Sequence, residues 1–405
     1  MVCSGVARFA CGSPGQTLQC APGHGNFRSM QPKPETGKLR VLLITPVYPP
    51  VLGGIQTLLY QALSATPNIE ATVVTIKETG WEPHDRVANH RIKRLSVPQV
   101  RPLIRNALFN LGVIRASVGC QPDIVLCGHI VVSPVSWLLA KRHRAKHVLY
   151  AYGREIGSRP SLSAWALNRS DAALAISEYT RSELLKAAGG YTSTPIHVVP
   201  PGVYIPERVQ RVRAARPTIV TVSRLRDWYK GHDRMLEALP YVKSRIPDVH
   251  WVVIGDGRIR PELEELAQRA GLGDTVSFLG EVSEEVKEKW LLQADVFAMP
   301  SRYPKNEPGG EGFGIVYLEA AARSLTSVAS NTGAPAEVIE NGRTGILVDP
   351  NDPVEIAAAL STLLLDRSYS EALGAAARQD AEVNFAWHKI GAKLEGVFRA
   401  VGVDN

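Results

Sequence analysis

The sequence EGFGIVYLE, residues 311–319, places two glutamates eight positions apart around a Gly-Phe-Gly turn. It follows a strand-like run, DVFAMPS at 295–301, and continues into a helix-forming run, YLEAAARS. A strand, a glycine turn and a helix in this order are typical of a βα unit in a parallel sheet. A helix that begins near Ile315 would direct unpaired backbone N–H groups and the positive end of its dipole beyond the strand.

Such a turn predicts an anion site, most often one for phosphate. The two flanking carboxylates do not favour phosphate, so we expect them to accept hydrogen bonds from hydroxyl groups on either side of it. A ligand with phosphate in the middle and polyols at both ends is a nucleotide sugar. Glu311 would then face the sugar, the Gly-Phe-Gly backbone the diphosphate, and Glu319 the ribose. The same turn also occurs in α/β proteins that bind nothing there. Other features of the chain are therefore needed to distinguish a ligand site from a purely structural turn.

Strand-like apolar runs alternate with amphipathic helical runs along the chain, and the alternation stops once, at 200–217, where proline and arginine replace the apolar pattern. This pattern predicts two doubly wound parallel sheets with right-handed crossovers. Predicted strands are 39–45, 71–76, 123–127, 146–152, 172–177 and 197–200 before the break, and 218–223, 249–255, 275–280, 295–300, 326–330 and 345–349 after it.

The predicted fold class is α/β, with two facing Rossmann-like domains and the ligand in the cleft between them. We expect a disordered leader at 1–37 and a final helix without a following strand that braces the first domain. The predicted units are 1–37, a first Rossmann-like domain at 38–205, a nucleotide-sugar-binding domain at 206–385 and the bracing helix at 386–405.

Composition narrows the class of protein. Of 405 residues, 45% are hydrophobic and 21% charged, as in a soluble globular enzyme, and no apolar run approaches the ~18 residues of a membrane span. The five cysteines lack metal-ligand spacing, which argues against a zinc site and a disulfide framework. We predict a cytoplasmic protein, and the oligomeric state stays open.

Two further stretches would reach the same cleft. SRLRDWYKGHD, residues 223–233, follows the first strand of the second domain and brings Arg224 and Lys230 to its carboxyl end. Two cations suit a diphosphate and can neutralise the charge of a departing nucleoside diphosphate. In the first domain, Gly53 and Gly54 open a helix and allow a ligand to approach closely.

Taken together, these motifs resemble the retaining glycosyltransferases of family 4, which have the GT-B architecture. The resemblance extends from Leu39 to the carboxyl end, and it is most similar to the branch of the bacterial phosphatidylinositol-monomannoside mannosyltransferases. It is carried by GGIQ (53–56), SRL and KG (223–231), GDG (255–257), FAMPSR (297–302), EPGGEGFGIVYLEAAA (307–322) and GAPAEVIENGRTGILVDP (333–350).

The resemblance implies a hexosyltransferase that needs no metal or other cofactor and retains the configuration of the sugar without an obvious enzyme nucleophile. It makes residues 38–205 the acceptor-side domain. It places Glu311 near the donor sugar, Glu319 on the ribose, and Arg224 and Lys230 on the diphosphate. Further donor contacts would come from Gly54 beside the diphosphate and from the backbone of Gly312, Phe313, Gly314 and Ile315.

The chain departs from the family at one place. Many members carry histidine in an HG-x-E segment, implicated in contacts to the transferred sugar, whereas this chain has Tyr152-Gly153-Arg154-Glu155. Tyrosine can donate one hydrogen bond but does not become a cation near neutral pH. Either Tyr152 makes the contact or His129, at the end of the preceding strand, replaces the family histidine.

Basic residues concentrate in the first half of the chain. Residues 86–154 hold twelve Lys and Arg and one acid, Asp123, in a chain of net charge +7. Within this span, 90–115 mixes arginines with apolar residues at roughly helical intervals, which suits either an anionic membrane surface or a solvated helix with a buried apolar side. Nucleic acid is disfavoured, because no nucleic-acid-binding motif accompanies the charge.

The leading hypothesis is therefore a transferase that moves a hexose, mannose from GDP-mannose being one candidate, to a lipid-linked or small polyol acceptor. Its location would be cytoplasmic, with peripheral contact at the inner face of the cell membrane. One alternative is a UDP-sugar transferase with a soluble acceptor in antibiotic, thiol or exopolysaccharide biosynthesis. Another is a non-catalytic nucleotide-sugar-binding protein, which the replacement at Tyr152 favours and the intact carboxylates and cations oppose.

Overall fold

The structure, a computed structural model, describes residues 37–51, 53–303 and 310–403 of the 405-residue chain. Apart from Gly37, the predicted leader lies outside the described residues. Residues 304–309, which include the first residues of the motif at 307–322, lie outside them too, as do residues 404–405 of the predicted bracing helix.

The first domain is built on a seven-stranded parallel sheet with the strand order β3-β2-β1-β4-β5-β6-β7. Its strands are β1 (Leu39–Ile44), β2 (Ile69–Ile76), β3 (Arg91–Leu95), β4 (Ile124–Cys127), β5 (Lys146–Ala151), β6 (Ala172–Ala175) and β7 (Ile196–Val198). Its helices are α1 (Gly54–Ser64), α2 (Trp81–Val87), α3 (Pro102–Ala116), α4 (Ser133–His143), α5 (Arg154–Ser158), α6 (Pro160–Leu167) and α7 (Glu178–Ala187).

The second domain has a six-stranded parallel sheet with the order β10-β9-β8-β11-β12-β13. Its strands are β8 (Thr218–Val222), β9 (His250–Ile254), β10 (Val276–Gly280), β11 (Val296–Met299), β12 (Ser327–Ser330) and β13 (Ile346–Val348). The helices that follow them are α8 (His232–Arg245), α9 (Arg260–Arg269), α10 (Glu284–Gln293), α11 (Ile315–Ala322), α12 (Pro335–Val338), α13 (Pro353–Leu365), α14 (Arg367–Asp380) and α15 (Trp387–Val403).

The inner strands of both sheets are buried on two faces, which explains the continuous apolar runs in the sequence. Every residue of β4 and of β11 is buried. The strand order reverses between β1 and β4 in the first sheet and between β8 and β11 in the second. Ligands bind outside the carboxyl ends of the strands at such reversals. The prediction of two Rossmann-like parallel-sheet domains is confirmed.

The basic span does not form one continuous amphipathic segment. Residues 90–115 divide into the edge strand β3 and the helix α3. Several of its cations have structural partners: Arg94 is buried and paired with Asp85 at 2.7 Å, and Arg105 pairs with Glu78 at 2.7 Å. Part of the positive charge of the basic span is therefore neutralised within the domain.

The chain passes between the domains twice. After β7 it runs through 199–217 to β8, and after α14 it returns to the first domain as α15. The two crossings touch, because the N–H of Val203 donates to the carbonyl of Phe385 at 2.8 Å. Helix α15 packs against α1, and the side-chain amide of Asn68 donates to the carboxylate of Glu395 at 3.1 Å.

Candidate active site

The loop that precedes α11 packs directly against the first domain. A side chain at Gly312 could not fit, because a Cβ atom there would lie 2.2 Å from the backbone oxygen of Tyr152. The hydroxyl of Ser177 donates to the Gly312 carbonyl at 2.8 Å. Glycine at 312 thus lets the end of one sheet approach the end of the other, and the site is made by both domains.

Glu311 and Lys230 form an ion pair inside this junction. Their side chains are only 13% and 15% exposed, and the Lys230 ammonium donates to the Glu311 carboxylate. Burial lowers the pKa of Lys230, but attraction by Glu311 and Tyr229 and the hydrogen bond to Glu311 outweigh it, so the pKa is raised. Lys230 is therefore a fixed cation that stands beside the glycine turn before any ligand arrives.

Arg224 follows β8 and is exposed, with no ion pair to any residue that the structure describes. Its charge acts on the pKa of both Lys230 and Tyr229, which places it on the same side of the domain. The GDG segment, residues 255–257, packs closely against this loop. Gly255 has φ 128°, and a Cβ atom there would lie 1.9 Å from the Ser223 carbonyl oxygen. The segment therefore shapes the loop that carries Arg224.

Helix α11 begins at Ile315, after Gly314 in the left-handed conformation. The side chain of Phe313 is buried and packs edge-on against Phe385, with ring centroids 5.9 Å apart, so only its backbone faces the turn. A Cβ atom on Gly54 would lie 3.8 Å from the Cδ1 atom of Ile315. The glycine-opened helix of the first domain and the N-terminus of α11 therefore meet.

Glu319, one turn into α11, has a partner that the sequence did not indicate. Lys287 on α10 donates to its carboxylate at 3.1 Å and also pairs with Glu284 at 2.7 Å. Burial lowers the pKa of Lys287, but the two carboxylates more than offset this, and its pKa is raised. Lys287 thus fixes the Glu319 side chain, which is one-quarter exposed and can still accept hydrogen bonds from a ligand.

Tyr152 and His129, the two candidates for the family histidine, both lie at the carboxyl ends of first-domain strands. Tyr152 is buried and its hydroxyl donates to the Gly128 carbonyl at 3.2 Å, so that hydrogen is already used. His129 accepts from the Val131 N–H through Nδ1 at 3.2 Å. Burial, and then the charge of Arg159, lower the pKa of His129 to about 4, so its ring is neutral near neutral pH.

Two residues outside the predicted set also shape the site. Glu155 is the last residue of the segment at 152–155 that differs from the family motif. Its carboxylate accepts hydrogen bonds from the N–H groups of Tyr152 at 2.6 Å and Gly153 at 3.3 Å. Burial raises the pKa of Glu155 against the lowering effect of these bonds. Tyr303 donates through its hydroxyl to the Glu311 carbonyl at 2.7 Å. Its position just beyond β11 was the only signal for Tyr303 in the sequence.

No group of three or more His, Cys, Asp or Glu side chains within 37–51, 53–303 and 310–403 could hold a metal ion. Among the same residues, no helix has the length and apolar character needed to cross a membrane. Among the described residues, the structure brings Lys230 and Glu311 together at the glycine turn, with Glu319 and Lys287 one helical turn away.

Two family models match this chain. The model of Glycosyltransferase Family 4 matches residues 52–205, and that of Glycosyl transferases group 1 matches 207–380. The GDP-mannose-dependent alpha-(1-6)-phosphatidylinositol monomannoside mannosyltransferase of Mycobacterium tuberculosis is 31% identical over 89% of this chain and 98% of its own length. The enzyme of the same name from Mycolicibacterium smegmatis is also 31% identical, over 87% of this chain and 97% of its own.

Solved structures agree in fold. Sucrose-phosphate synthase from Thermosynechococcus elongatus superposes with a TM-score of 0.76 at 20% identity, covering 91% of this chain and 100% of its own. The Anabaena protein HepE, in complex with UDP and glucose, superposes with a TM-score of 0.74 at 18% identity, covering 89% of this chain and 100% of its own.

The fold and the sequence relatives together define a hexosyltransferase of the GT-B class. The chain belongs to glycosyltransferase family 4. The predicted resemblance to the phosphatidylinositol-monomannoside mannosyltransferases is confirmed, because relatives with that name match nearly their whole length.

Proposed function

We propose that the protein transfers mannose from GDP-mannose to a phosphatidylinositol-mannoside lipid. The relatives that match nearly end to end have GDP-mannose and phosphatidylinositol monomannoside in their names. The observation that carries the proposal within this chain is the buried Lys230–Glu311 pair beside the N-terminus of α11. It combines a cation for the diphosphate with a carboxylate for sugar hydroxyls.

In the structure Lys230 neutralises Glu311. A bound diphosphate would share the Lys230 ammonium, together with Arg224 and the backbone N–H groups at the start of α11. The Glu311 carboxylate would then turn part of its hydrogen-bonding capacity to the sugar, while Glu319, held by Lys287, accepts from the ribose. The cations would stabilise the negative charge that develops on the departing GDP. This charge grows towards the transition state, so the stabilisation is greater there than in the bound substrate.

The nucleotide can be tested by thermal unfolding of the full chain with GDP, GDP-mannose, UDP and UDP-glucose. A ligand at a hundred times its Kd stabilises the folded state by about 2.7 kcal/mol. We expect GDP and GDP-mannose to raise the Tm and the uridine compounds to leave it unchanged. A shift with UDP-glucose alone would overturn the donor assignment and favour the UDP-sugar alternative. A shift with GDP-mannose but no transfer to phosphatidylinositol monomannoside would favour another acceptor or a non-catalytic binder.

A surface on α3 supports a lipid acceptor. Phe109 and Val113 pack into the domain, but the outward face of the helix is apolar. Leu103 is 78% exposed and Leu111 66% exposed, in a part of the chain where a solvated helix would carry polar groups. The large apolar side chains exposed on and beside α3 are Val100, Leu103, Ile104, Leu108, Leu111, Ile114 and Val118.

Two arginines, Arg101 and Arg115, are exposed near the two ends of this apolar face. Apolar side chains flanked by exposed cations suit the interface of an anionic bilayer, where each basic residue contributes about 1 kcal/mol. The first domain would then rest on the membrane through α3, from which it could reach a lipid-linked acceptor. The proposed function therefore includes contact with the membrane that holds the lipid acceptor.

Replacing Leu111 by glutamine is expected to weaken binding to phosphatidylcholine vesicles that contain phosphatidylglycerol by about tenfold to a hundredfold, since burying one leucine contributes about 1.5–3 kcal/mol. Vesicle co-sedimentation measures the effect. Leu365→Gln is the matched control, because Leu365 on α13 is 63% exposed and lies in the other domain. Equal binding by both variants would contradict the membrane contact. Concentration-dependent dimers lost in Leu111→Gln would assign the face to a second copy.

A further inference from the structure

The first turn of α7, in the first domain, is held by a carboxylate from the second domain. Glu337 on α12 accepts the N–H of Glu178 through Oε2 and the N–H of Tyr179 through Oε1, both at 2.7 Å. These N–H groups belong to the start of a helix, where they have no partner within the helix and where the dipole favours negative charge. A side chain of one domain therefore completes the hydrogen bonding of a helix in the other.

The same turn of α7 also holds the loop that carries Glu311. Ser177 donates to the Gly312 carbonyl at 2.8 Å, and the ring of Tyr179 lies edge-on to that of Tyr303 with centroids 4.9 Å apart. Three consecutive residues, 177 to 179, thus contact the second domain by three different groups. All of these contacts require the two domains to be together.

Tyr303 connects these contacts inside the second domain. Its hydroxyl donates to the Glu311 carbonyl at 2.7 Å and accepts from the N–H of Ala334 at 3.0 Å. Ala334 directly precedes α12, the helix of Glu337. The position of Glu337 and the position of the Glu311 backbone are therefore linked through one tyrosine.

An ion pair also joins the domains, between Arg154 and Asp227 at 2.6 Å, and the Arg154 side chain is 56% exposed. Pairs of this kind contribute little and are screened by salt. Glu337 differs because its carboxylate accepts two charge-assisted hydrogen bonds from backbone N–H groups. These donors are already held in place by the fold, so no donor side chain loses conformational freedom when the bonds form. It is the stronger candidate for a specific contact between the domains.

We propose that Glu337 is an interdomain latch and a positioning residue for transfer: by binding the start of α7, it holds the domains together and sets the Glu311 loop for the sugar. The role given to Glu311 rests on the proposed function. The latch itself rests only on the contacts between α12, α7 and Tyr303. Nucleotide binding does not require it, because Arg224, Lys230 and Glu319 all belong to the second domain.

The test compares Glu337→Ala and Glu337→Gln with Glu340→Gln, a control at an exposed glutamate that pairs with Arg343 in its own domain. Folding of the variants is protected, because Ser177 still caps α7 by accepting from the Thr180 N–H at 2.9 Å. We expect kcat for mannosyl transfer to fall about tenfold in Glu337→Ala, less in Glu337→Gln, and not in Glu340→Gln. The Kd for GDP, measured by calorimetry, should stay within about twofold of wild type, because the nucleotide site is intact.

Small-angle X-ray scattering of the full chain supplies a readout that is independent of activity. We expect a larger radius of gyration for Glu337→Ala than for wild type and Glu340→Gln. An unchanged radius together with unchanged kcat would overturn the latch. Loss of GDP affinity equal to the loss of kcat would assign Glu337 to the nucleotide site instead. Failure of the wild type to bind GDP would count against the proposed function alone, because the scattering comparison would still test the latch.

Discussion

Replacing Lys230 by alanine is expected to weaken GDP binding by about tenfold to a hundredfold, since a hydrogen bond to a charged group contributes about 1.5–3 kcal/mol. Lys230 is a buried cation with a raised pKa, and its position beside the glycine turn is fixed by Glu311. Its removal therefore takes a positioned cation away from the diphosphate, which would share it with Glu311. Titration calorimetry with GDP measures the change.

Lys289→Ala is the control for the loss of one positive charge, because Lys289 is an exposed residue of α10 in the same domain. It should bind GDP as the wild type does. If Lys230→Ala also bound GDP with wild-type affinity, Lys230 would have no place on the diphosphate and its only role would be to neutralise Glu311.

Replacing Glu311 by glutamine should lower kcat and not GDP affinity. We expect kcat to fall by about a hundredfold to a thousandfold, the range found when one group that stabilises a transition state is removed. Glutamine keeps the shape of the side chain but removes the charge. GDP affinity should be equal to wild type or higher, because Glu311 no longer competes with the diphosphate for Lys230. Initial rates with GDP-mannose and calorimetry with GDP give the two quantities.

The double variant Lys230→Ala/Glu311→Gln separates loss of function from damage to folding. Lys230→Ala alone leaves the Glu311 carboxylate buried without its partner, which destabilises the protein. The double variant removes both charges and should unfold at a higher temperature than Lys230→Ala while remaining inactive. Turnover by Glu311→Gln at the wild-type rate would remove Glu311 from the sugar site.

Sequence reasoning predicted both sheets because their strands are apolar on two faces, and a buried parallel strand is readable from that property alone. Strand β3 was missed since its sequence is RIKRL, and four of its five residues are only partly buried at the sheet edge. An edge strand whose cations pair with a neighbouring helix and loop does not have the apolar pattern of an inner strand. The prediction for 90–115 therefore described the charge and missed the break between strand and helix.

Within the site, the sequence indicated the groups that stand on the glycine turn and the loop after β8. It could not indicate their partners, because Lys287 and Glu319, or Glu337 and α7, meet only through the tertiary fold. Tyr152 illustrates the same limit. The residue type suggested a free phenol, whereas packing against β4 directs its hydroxyl to the Gly128 carbonyl. The roles assigned to the predicted site residues stay predictions until the variants above are measured.

The return of α15 to the first domain has a consequence for how the protein is made. Leu58 and Leu59 of α1 belong to the same apolar cluster as Ile390, Leu394 and Phe398 of α15. On the ribosome, residues 387–403 emerge only after the whole second domain has been synthesised. Until then the face of α1 beneath α15 stays uncovered, so the domain translated first is completed only after the second one.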